Sequence, residues 1–317
     1  METRDVTTGD PGAGAFVPPR YLGNLWQELP RPQRVAVNLL PTFDIGDSGM
    51  SFTVPKINTG VTVASQAGEN QALSETDIDT NLLTAYLETI GGLQDVSMQS
   101  LERTDPALNE WVLDDLRRAY DAQIELQVLH GAGHSSQELP GLLGVSGNND
   151  VTWTETTPTG TTGLSKIYNV ISEIASDTSG YSQASVIVMH SRRSAWFASQ
   201  TSTLQPIFQQ GGLYQSSAQG TQGNGFAGSM AGLPVYQSNA ILTTRGSSTN
   251  QDVIFVLDPS VIRFGEGPMR VEVFRDVLSS TLEVRFRLFA YACLIADRLP
   301  AAIGNIEGTG LVTPVFA

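Results

Sequence analysis

The stretch DPALNEWVLDDLRRAYDAQIELQVLHG, Asp105 to Gly131, decides how the rest of the chain must be built. Asp105 suits a helix N-cap and Pro106 the first helical position. Glu110 lies near the start, His130 in the last turn, and Gly131 can close the end. Nothing between Pro106 and His130 breaks a helix. The expected rod is roughly 37 Å long at ~1.5 Å per residue, about twice the usual length. At about 100° per residue, Glu110, Asp114, Arg117, Arg118, Asp121 and Glu125 share one narrow face, with Asp114 and Arg118 at the stabilising (i, i+4) spacing. Leu108, Trp111, Val112, Leu113, Leu116, Ala119, Tyr120, Ile124, Leu126 and Leu129 cover most of the remaining circumference. So wide an apolar arc needs cover on more than one side. Asp115 falls inside it and needs a partner there. The plain alternative is one long helix crossing an ordinary α+β domain.

Upstream of the helix, residues 1–40 are rich in Gly, Pro, Thr and Arg, and no helix or strand period survives the prolines. A disordered tail is one reading. Leu25, Trp26, Leu29, Val35 and Val37 are more apolar than a solvated tail requires, so an arm lying on a neighbouring subunit fits better. From Met50 the pattern alternates through Phe52, Val54, Val61 and Val63. It reverses over Ser65–Glu75 and returns as an extended segment from Ile78 to Tyr86. A two-stranded arm with so little core of its own needs a partner surface.

Downstream comes the Gly-dense GAGHSSQELPGLLGV, then an amphipathic helix over Thr162–Ser176 and a buried strand over Ala184–His190. SRRSAWFASQ reads as a short helix, and residues 199–229, rich in Gly, Gln and Ser, as a long surface loop. Strands are expected from Val235 and over Ile254–Leu257. Met269, Val271 and Val273 alternate with Arg270 and Glu272, and Leu282 to Leu288 alternate with Glu283, Arg285 and Arg287. These two stretches suit an antiparallel pair with opposite charges facing. Helices and strands mix without strict alternation, so the class is α+β.

The 317 residues are enough for a sizeable core in one or two compact units, and carry 18 basic and 32 acidic side chains, a net charge of −14. Residues 61–130 alone hold 13 acids and three arginines, and the only lysines are Lys56 and Lys166. Binding a phosphate backbone tightly needs clustered Lys or Arg, so a nucleic-acid reader is not expected. No run approaches the length of a membrane-spanning helix, and METRDVTTGDPG has no apolar signal core. The single Cys293, in FAYACLIA, reads as a small buried hydrophobe.

Few stretches tempt a chemical reading. In DIDTNLLTAYLE, Asp77, Asp79, Asn81 and Glu88 hold positions one, three, five and twelve of a calcium loop, but Leu82 stands where glycine must turn the chain. The run suits an acidic strand edge better. Gly133-His134-Ser135-Ser136-Gln137 resembles a nucleophile elbow, yet a helix precedes it, Gln137 replaces the second glycine, and only His190 follows as a base. The glycines at 223, 225 and 228 lack the flanking strand and basic residue of a phosphate loop. His130, His134 and His190 have no metal-ligand spacing. His130 reads as a helix C-terminal cation and His190 as a strand-end residue. No catalytic residue, cofactor or metal ligand is assigned. Arms, a long helix and a Gly-rich loop together point to assembly.

The order of elements resembles the major capsid protein of tailed bacteriophages, the Hong Kong-ninety-seven-type fold. The resemblance is carried by AGENQALSETDID (67–79) with LQDVSMQSLERTD (93–105), by the helix and its exit LHGAGHSSQELPGLLGV (129–145), and by IYNVISEIASDTSGYSQASVIVMHSRRSAWFAS (167–199). MAGLPVYQSNAI (230–241) and VEVFRDV…LEVRFRLFAYACLIADRLPAAI (271–303) complete it. It covers about residue 40 to the end. It implies an N-terminal arm over 1–40 and an extended hairpin loop over 53–84. A peripheral domain would comprise 41–52, 85–135 and 268–293, with its spine helix at 106–130. An axial domain would comprise 136–267 and 294–317.

The resemblance further implies hexamers and pentamers of an icosahedral virion shell, enclosing double-stranded DNA without reading its sequence and assembled in the host cytoplasm. Trp26, Glu69, Asn70, Gln71, Asp77, Asp79 and Asp115 are the expected subunit-interface residues. Some family members join subunits through a lysine near the hairpin tip. No lysine lies between Lys56 and Lys166, so the shell is expected to be non-covalent. The N-terminal region leaves no room for a fused scaffolding domain, so a separate scaffolding protein, a portal and a decoration protein are the expected partners, with no membrane. An encapsulin-type nanocompartment shares the fold but should begin with a cargo-docking helix, where residues 1–35 are broken by proline. A serine hydrolase built around Ser135 is the alternative from a different class.

Overall fold

The computed structural model describes residues 29–104, 108–202, 205–206, 209–210, 225–278 and 280–316. Trp26, Asp105, Pro106 and Gly223 lie outside the described residues.

Among the described residues the first element is a single helical turn, α1 (Ala36–Leu39), followed by β1 (Thr42–Phe43). β2 (Ser51–Thr59) and β3 (Asp79–Tyr86) form the expected antiparallel hairpin, with Val54 opposite Leu83 and Lys56 opposite Asn81. β4 (Glu88–Ser97) and a short α2 (Met98–Arg103) lead to the long helix α3 (Leu108–His130). The remaining elements are β5 (Asn149–Thr152), α4 (Gly160–Asp177), β6 (Val186–Met189) and α5 (Ser191–Ser199), then three two-residue strands, β7 (Thr201–Ser202), β8 (Gln205–Pro206) and β9 (Gln209–Gln210). β10 (Phe226–Met230), β11 (Leu233–Gln237), β12 (Ile254–Leu257), β13 (Arg263–Glu266), β14 (Arg270–Leu278), β15 (Glu283–Ile295) and β16 (Ile303–Glu307) follow.

Two sheets organise these elements. In the first, β15 is the axis: β4 runs along one side over ten residues, and β14 and then β13 occupy the other, with β1 beyond β13. Glu272 lies opposite Arg287, so the charge pairing expected from the alternation is present as an ion pair. The second sheet has the order β5-β16-β12-β6-β11-β10-β9. β6 is central and buried on both faces, which is why Ala184–His190 reads as an unbroken apolar run.

The C-terminal half of α3 is wedged between these sheets. Tyr120, Ile124, Val128 and Leu129 pack on Ile90, Leu288 and Phe264 of the first sheet and in the same core as Val188 and Phe255 of the second. The cover on more than one side that the apolar arc demanded is thus supplied within the subunit. The opposite face of the second sheet, with Ile187, Ile254 and Val256, is closed by Ile167, Val170 and Ile174 of α4 and Trp196 of α5. Thr159 caps α4 through a capping box with Thr162.

Four details depart from the sequence reading. Residues 36–39 are helical although no local period marks them, because a distant carboxylate caps the turn. The surface loop expected over 199–229 ends in a strand: Phe226–Met230 finds its ladder across the Ala231–Gly232 turn, both residues having positive φ, so the partner rather than the composition decides. Asp114 and Arg118 pair as expected, at 2.8 Å, but Glu125 on the same acidic face is fully buried. Gly131 ends α3 without the left-handed conformation. A Cβ there would collide with the Leu139 carbonyl, and one on Gly141 with the Gly131 nitrogen. The exit loop crosses itself, held by a bridge between Ala132 and Pro140, and only glycine fits the crossing.

Because Ile124 has no exposure and lies in the core that both sheets share, Ile124→Ala is expected to cost about 2–5 kcal/mol. A urea titration of the unassembled subunit reads this as a fall in midpoint with unchanged slope.

Candidate functional site

The hairpin is packed at its root and bare at its tip. Phe52 and Val54 face the body beside Ala85, Leu87, Cys293 and Ile295, and Phe43 meets Phe52 edge-on at 5.4 Å. The Lys56 ammonium donates to the Asp297 carbonyl at 3.4 Å. Behind the root, the His134 ring stacks on Tyr86 (3.8 Å between centroids, 8° between planes) and its Nδ1 pairs with the buried Glu88 carboxylate. Burial, with Glu88 nearby, pushes the Cys293 thiol up to about 12, so this cysteine is an inert core group.

From Ile57 to Leu82, by contrast, no residue is buried. Val63 is 94% exposed, Leu73 72%, Leu82 67% and Ile57 64%. The tip turns at Gly68–Gln71 with Asn70 at φ 62°, and Gln66 donates to the Gln71 carbonyl at 2.6 Å. Glu69, Asn70 and Gln71 are thus brought together at the tip, with Asp77 exposed on the return limb and Asp79 opening β3. Leu82 lies mid-strand, so 79–86 has the extended shape of a ladder, not of a calcium loop.

Asp115 belongs elsewhere. Its side chain is half exposed and takes a bidentate pair from Arg31 at 3.0 and 2.9 Å, so the partner it needed comes from its own chain. This pair is the first rung of a strap that the sequence reading missed. Arg34 donates to Asp121 at 2.7 Å and to both oxygens of Glu266 at 2.6 and 2.9 Å, and Tyr120 donates to Glu266 at 2.9 Å. Burial opposes the Arg34 charge, but Glu266 and Asp121 outweigh it and its pKa rises. Glu125 then accepts the Ala36 N–H at 2.8 Å, the Val37 N–H at 3.1 Å and the Ser238 hydroxyl at 2.7 Å. A fully buried carboxylate thereby caps α1 and ties the strap to the loop after β11. The signal in sequence was faint: arginines at 31 and 34, and acids six and then four residues apart on α3.

None of the three histidines serves Ser135. His134 is committed to Tyr86 and Glu88, and His190 accepts the Arg192 N–H as the cap of α5. His130 is not the helix-terminal cation expected of it. Burial, with Arg245 nearby, lowers its pKa to about 4, and its neutral Nε2 accepts the Leu242 N–H at 3.1 Å. Among the described residues no cluster of three His, Cys, Asp or Glu could hold a metal ion. The charged interior cluster is Arg192 and Arg193 on Asp252, with Arg193 also donating to the Val312 carbonyl at 2.7 Å, a brace for the C-terminal segment.

The sequence matches the profile of the phage capsid family over residues 16–292. The chain belongs to the phage capsid family. The capsid of the native GTA particle superposes with a TM-score of 0.69 at 17% identity, covering 96% of this chain and 99% of that one. A structure from Mycobacterium phage Adephagia gives 0.70 at 13% identity over 98% and 100% of the two chains. One from Gordonia phage Cozz gives 0.67 at 17% over 97% and 98%. Comparison with curated proteins by sequence returns no match. The fold is the Hong Kong-ninety-seven-type capsid fold, and the family's role is structural, not enzymatic: a major capsid protein of an icosahedral shell.

Glu125→Ala leaves two N–H groups and a hydroxyl without their acceptor and is expected to cost about 3 kcal/mol. Glu125→Gln, which keeps one acceptor, should lose less in the same urea titration. His130 is depressed from 6.5 to about 4 in the folded chain, so unfolding takes up a proton in between. Its contribution is complete above pH 6.5 and drains away as the pH falls towards 4. His130→Gln, which keeps an acceptor for Leu242, should flatten stability against pH in that window, with the remaining slope in part from His190, also lowered by burial.

Proposed function

We propose that this chain forms the hexamers and pentamers of a tailed-phage shell around double-stranded DNA, held together without covalent cross-links. The carrying observation is the hairpin: a limb with apolar groups along its length, which no described residue of its own subunit buries between Ile57 and Leu82. Surface of this kind marks a binding face. Laid across the adjacent subunit, it would bury Ile57, Val61, Val63 and Leu73 and bring Glu69, Asn70, Gln71, Asp77 and Asp79 to a neighbour. The tip has no basic residue, so its receptor should be neutral or basic.

The domain division follows the same reading. The peripheral part would comprise 41–52, 85–135 and 268–293 with α3. To it β13 (Arg263–Glu266), expected in the axial part, is joined by its pairing with β15. The second sheet with α4 and α5 would be the axial part at capsomer centres. A net charge of −14 keeps a DNA container from gripping its contents. A separate scaffolding protein, a portal and a decoration protein would complete assembly in the host cytoplasm.

Light scattering and negative-stain microscopy of the purified protein should show shells, and boiling in SDS should return monomers. A small fixed oligomer would overturn the shell, and a ladder of multimers would refute the non-covalent contacts. The triple variant Val61→Ser, Val63→Ser, Leu73→Ser should stay unassembled with the wild-type urea midpoint, because these side chains are exposed in the single subunit. Normal shells from that variant would exclude the hairpin as the joining limb.

A further inference from the structure

The hairpin joins the body at two points, and the two are not alike. On the way in, residues 46–50 are all exposed, and Gly46 and Gly49 turn at φ 62° and 93°. On the way out, a single residue, Leu87, separates β3 from β4. Leu87 is buried and donates its N–H to the Met50 carbonyl at 3.0 Å, closing the ladder where the two sheets part. His134 touches the residue on either side of this joint. Its ring stacks on Tyr86, and its Nδ1 pairs with Glu88, whose carboxylate has no other hydrogen-bond partner among the described residues. Alternation puts Tyr86 on the face of the hairpin away from Leu83 and Ala85, which belong to the root core. On that opposite face the hairpin stands off the body across a cleft of about 400 Å³, between Lys56 and Leu83 on one side and Pro140, Val145 and Pro300 on the other. The Lys56 bond to the Asp297 carbonyl, which spans it, is long at 3.4 Å.

We infer that Leu87 is the pivot of the hairpin and that His134 is the latch that sets its angle to the body. His134 stands on a firm post. Its loop is closed at the base by the Ala132–Pro140 bridge and tied within by two bonds of 2.9 Å, the Ser136 N–H on the Gly133 carbonyl and the Ala132 N–H on Glu138. The loop grows from the wedged end of α3, so the ring is held in register with the core. The stack fixes the tilt, because two rings 3.8 Å apart and 8° from parallel lose contact once one turns away, and the Glu88 pair fixes the ring itself. Without them the hairpin is free to swing about the joint. The leverage is large: Ile57 is seven residues from Met50, about 23 Å at ~3.3 Å per residue, so a swing of about 10° carries it through about 4 Å. A latched hairpin would meet a neighbour already aimed. That consequence rests on the shell proposed above, whereas the latch belongs to one subunit, and its failure would leave shell assembly untouched.

The test measures that angle. Spin labels on Ile57→Cys, exposed towards the far end of the ladder, and on Leu93→Cys, exposed on β4, report one distance by pulsed electron resonance in the unassembled subunit. Cys293 takes no label, being buried with its thiol pushed up to about 12. The chain with labels alone should give a single narrow distribution. His134→Ala should broaden it, by about 4 Å for every ~10° released. His134→Gln, which returns a donor to Glu88 without the ring, should recover part of the loss. Tyr86→Ser removes the stack and leaves the Glu88 pair, so it tests the latch even where His134→Ala fails to fold, and it should broaden the distribution less. A broad distribution in the chain with labels alone would overturn the inference, as would a width left unchanged by either His134→Ala or Tyr86→Ser.

Discussion

The structure depends on one buried wedge. The C-terminal half of α3 is gripped by two sheets at once, and the face it turns to them offers no water to a charge. Glu125 nevertheless sits there with no exposure, and a carboxylate can stay only where donors replace water. Those donors are the Ala36 and Val37 N–H groups and the Ser238 hydroxyl, which belong to the strap and to the loop after β11. The wedge, the strap and the second sheet are therefore settled together. Removing any one strands a charge. Arg34 extends the same logic outward, joining the strap to Asp121 on the helix and Glu266 on the first sheet.

Against this closed interior the hairpin is deliberately open. Its root shares a small core with Cys293 and Ile295, and His134 buttresses Tyr86 and Glu88 behind it. From Ile57 to Leu82 the two limbs bury no residue, and their apolar groups stay exposed in the single subunit. The charge distribution fits. Arginines 31, 34, 192, 193, 245, 285 and 287 are engaged in pairs within the chain. The acids of the hairpin tip have no such partners in sequence between Lys56 and Arg103.

The same geometry disposes of the chemical temptations. A calcium loop must coil around its ion, and residues 79–86 are held straight by a ladder with 51–59. A nucleophile elbow needs a strand before it and a free base beside it. Ser135 follows a helix, in a turn shaped by the Gly131–Gly141 crossing, and the nearest imidazole is already stacked and paired. What resembled motifs are local spellings of an exit loop and an edge.

Sequence alone determined the elements whose reasons are local. The 3.6-residue period wrote α3, α4 and α5. Unbroken apolar runs wrote β6 and β12, and two-residue alternation wrote the hairpin and the β14–β15 pair with Glu272 facing Arg287. The absence of a capping side chain nearby hid α1, whose acceptor Glu125 lies far along the chain, and a Gly- and Ser-rich composition hid β10, although its partner β11 follows after a two-residue turn. Tertiary structure alone decided that Glu125 is buried and Asp115 is not, that His130 is neutral, and that Gly131 is required for a crossing instead of a cap. Each turns on a group distant in sequence: Ala36, Arg31, Leu242, Leu139. Periodicity reports which face of an element is apolar, but the cost of burying a charge depends on what stands opposite, and only the folded chain supplies that.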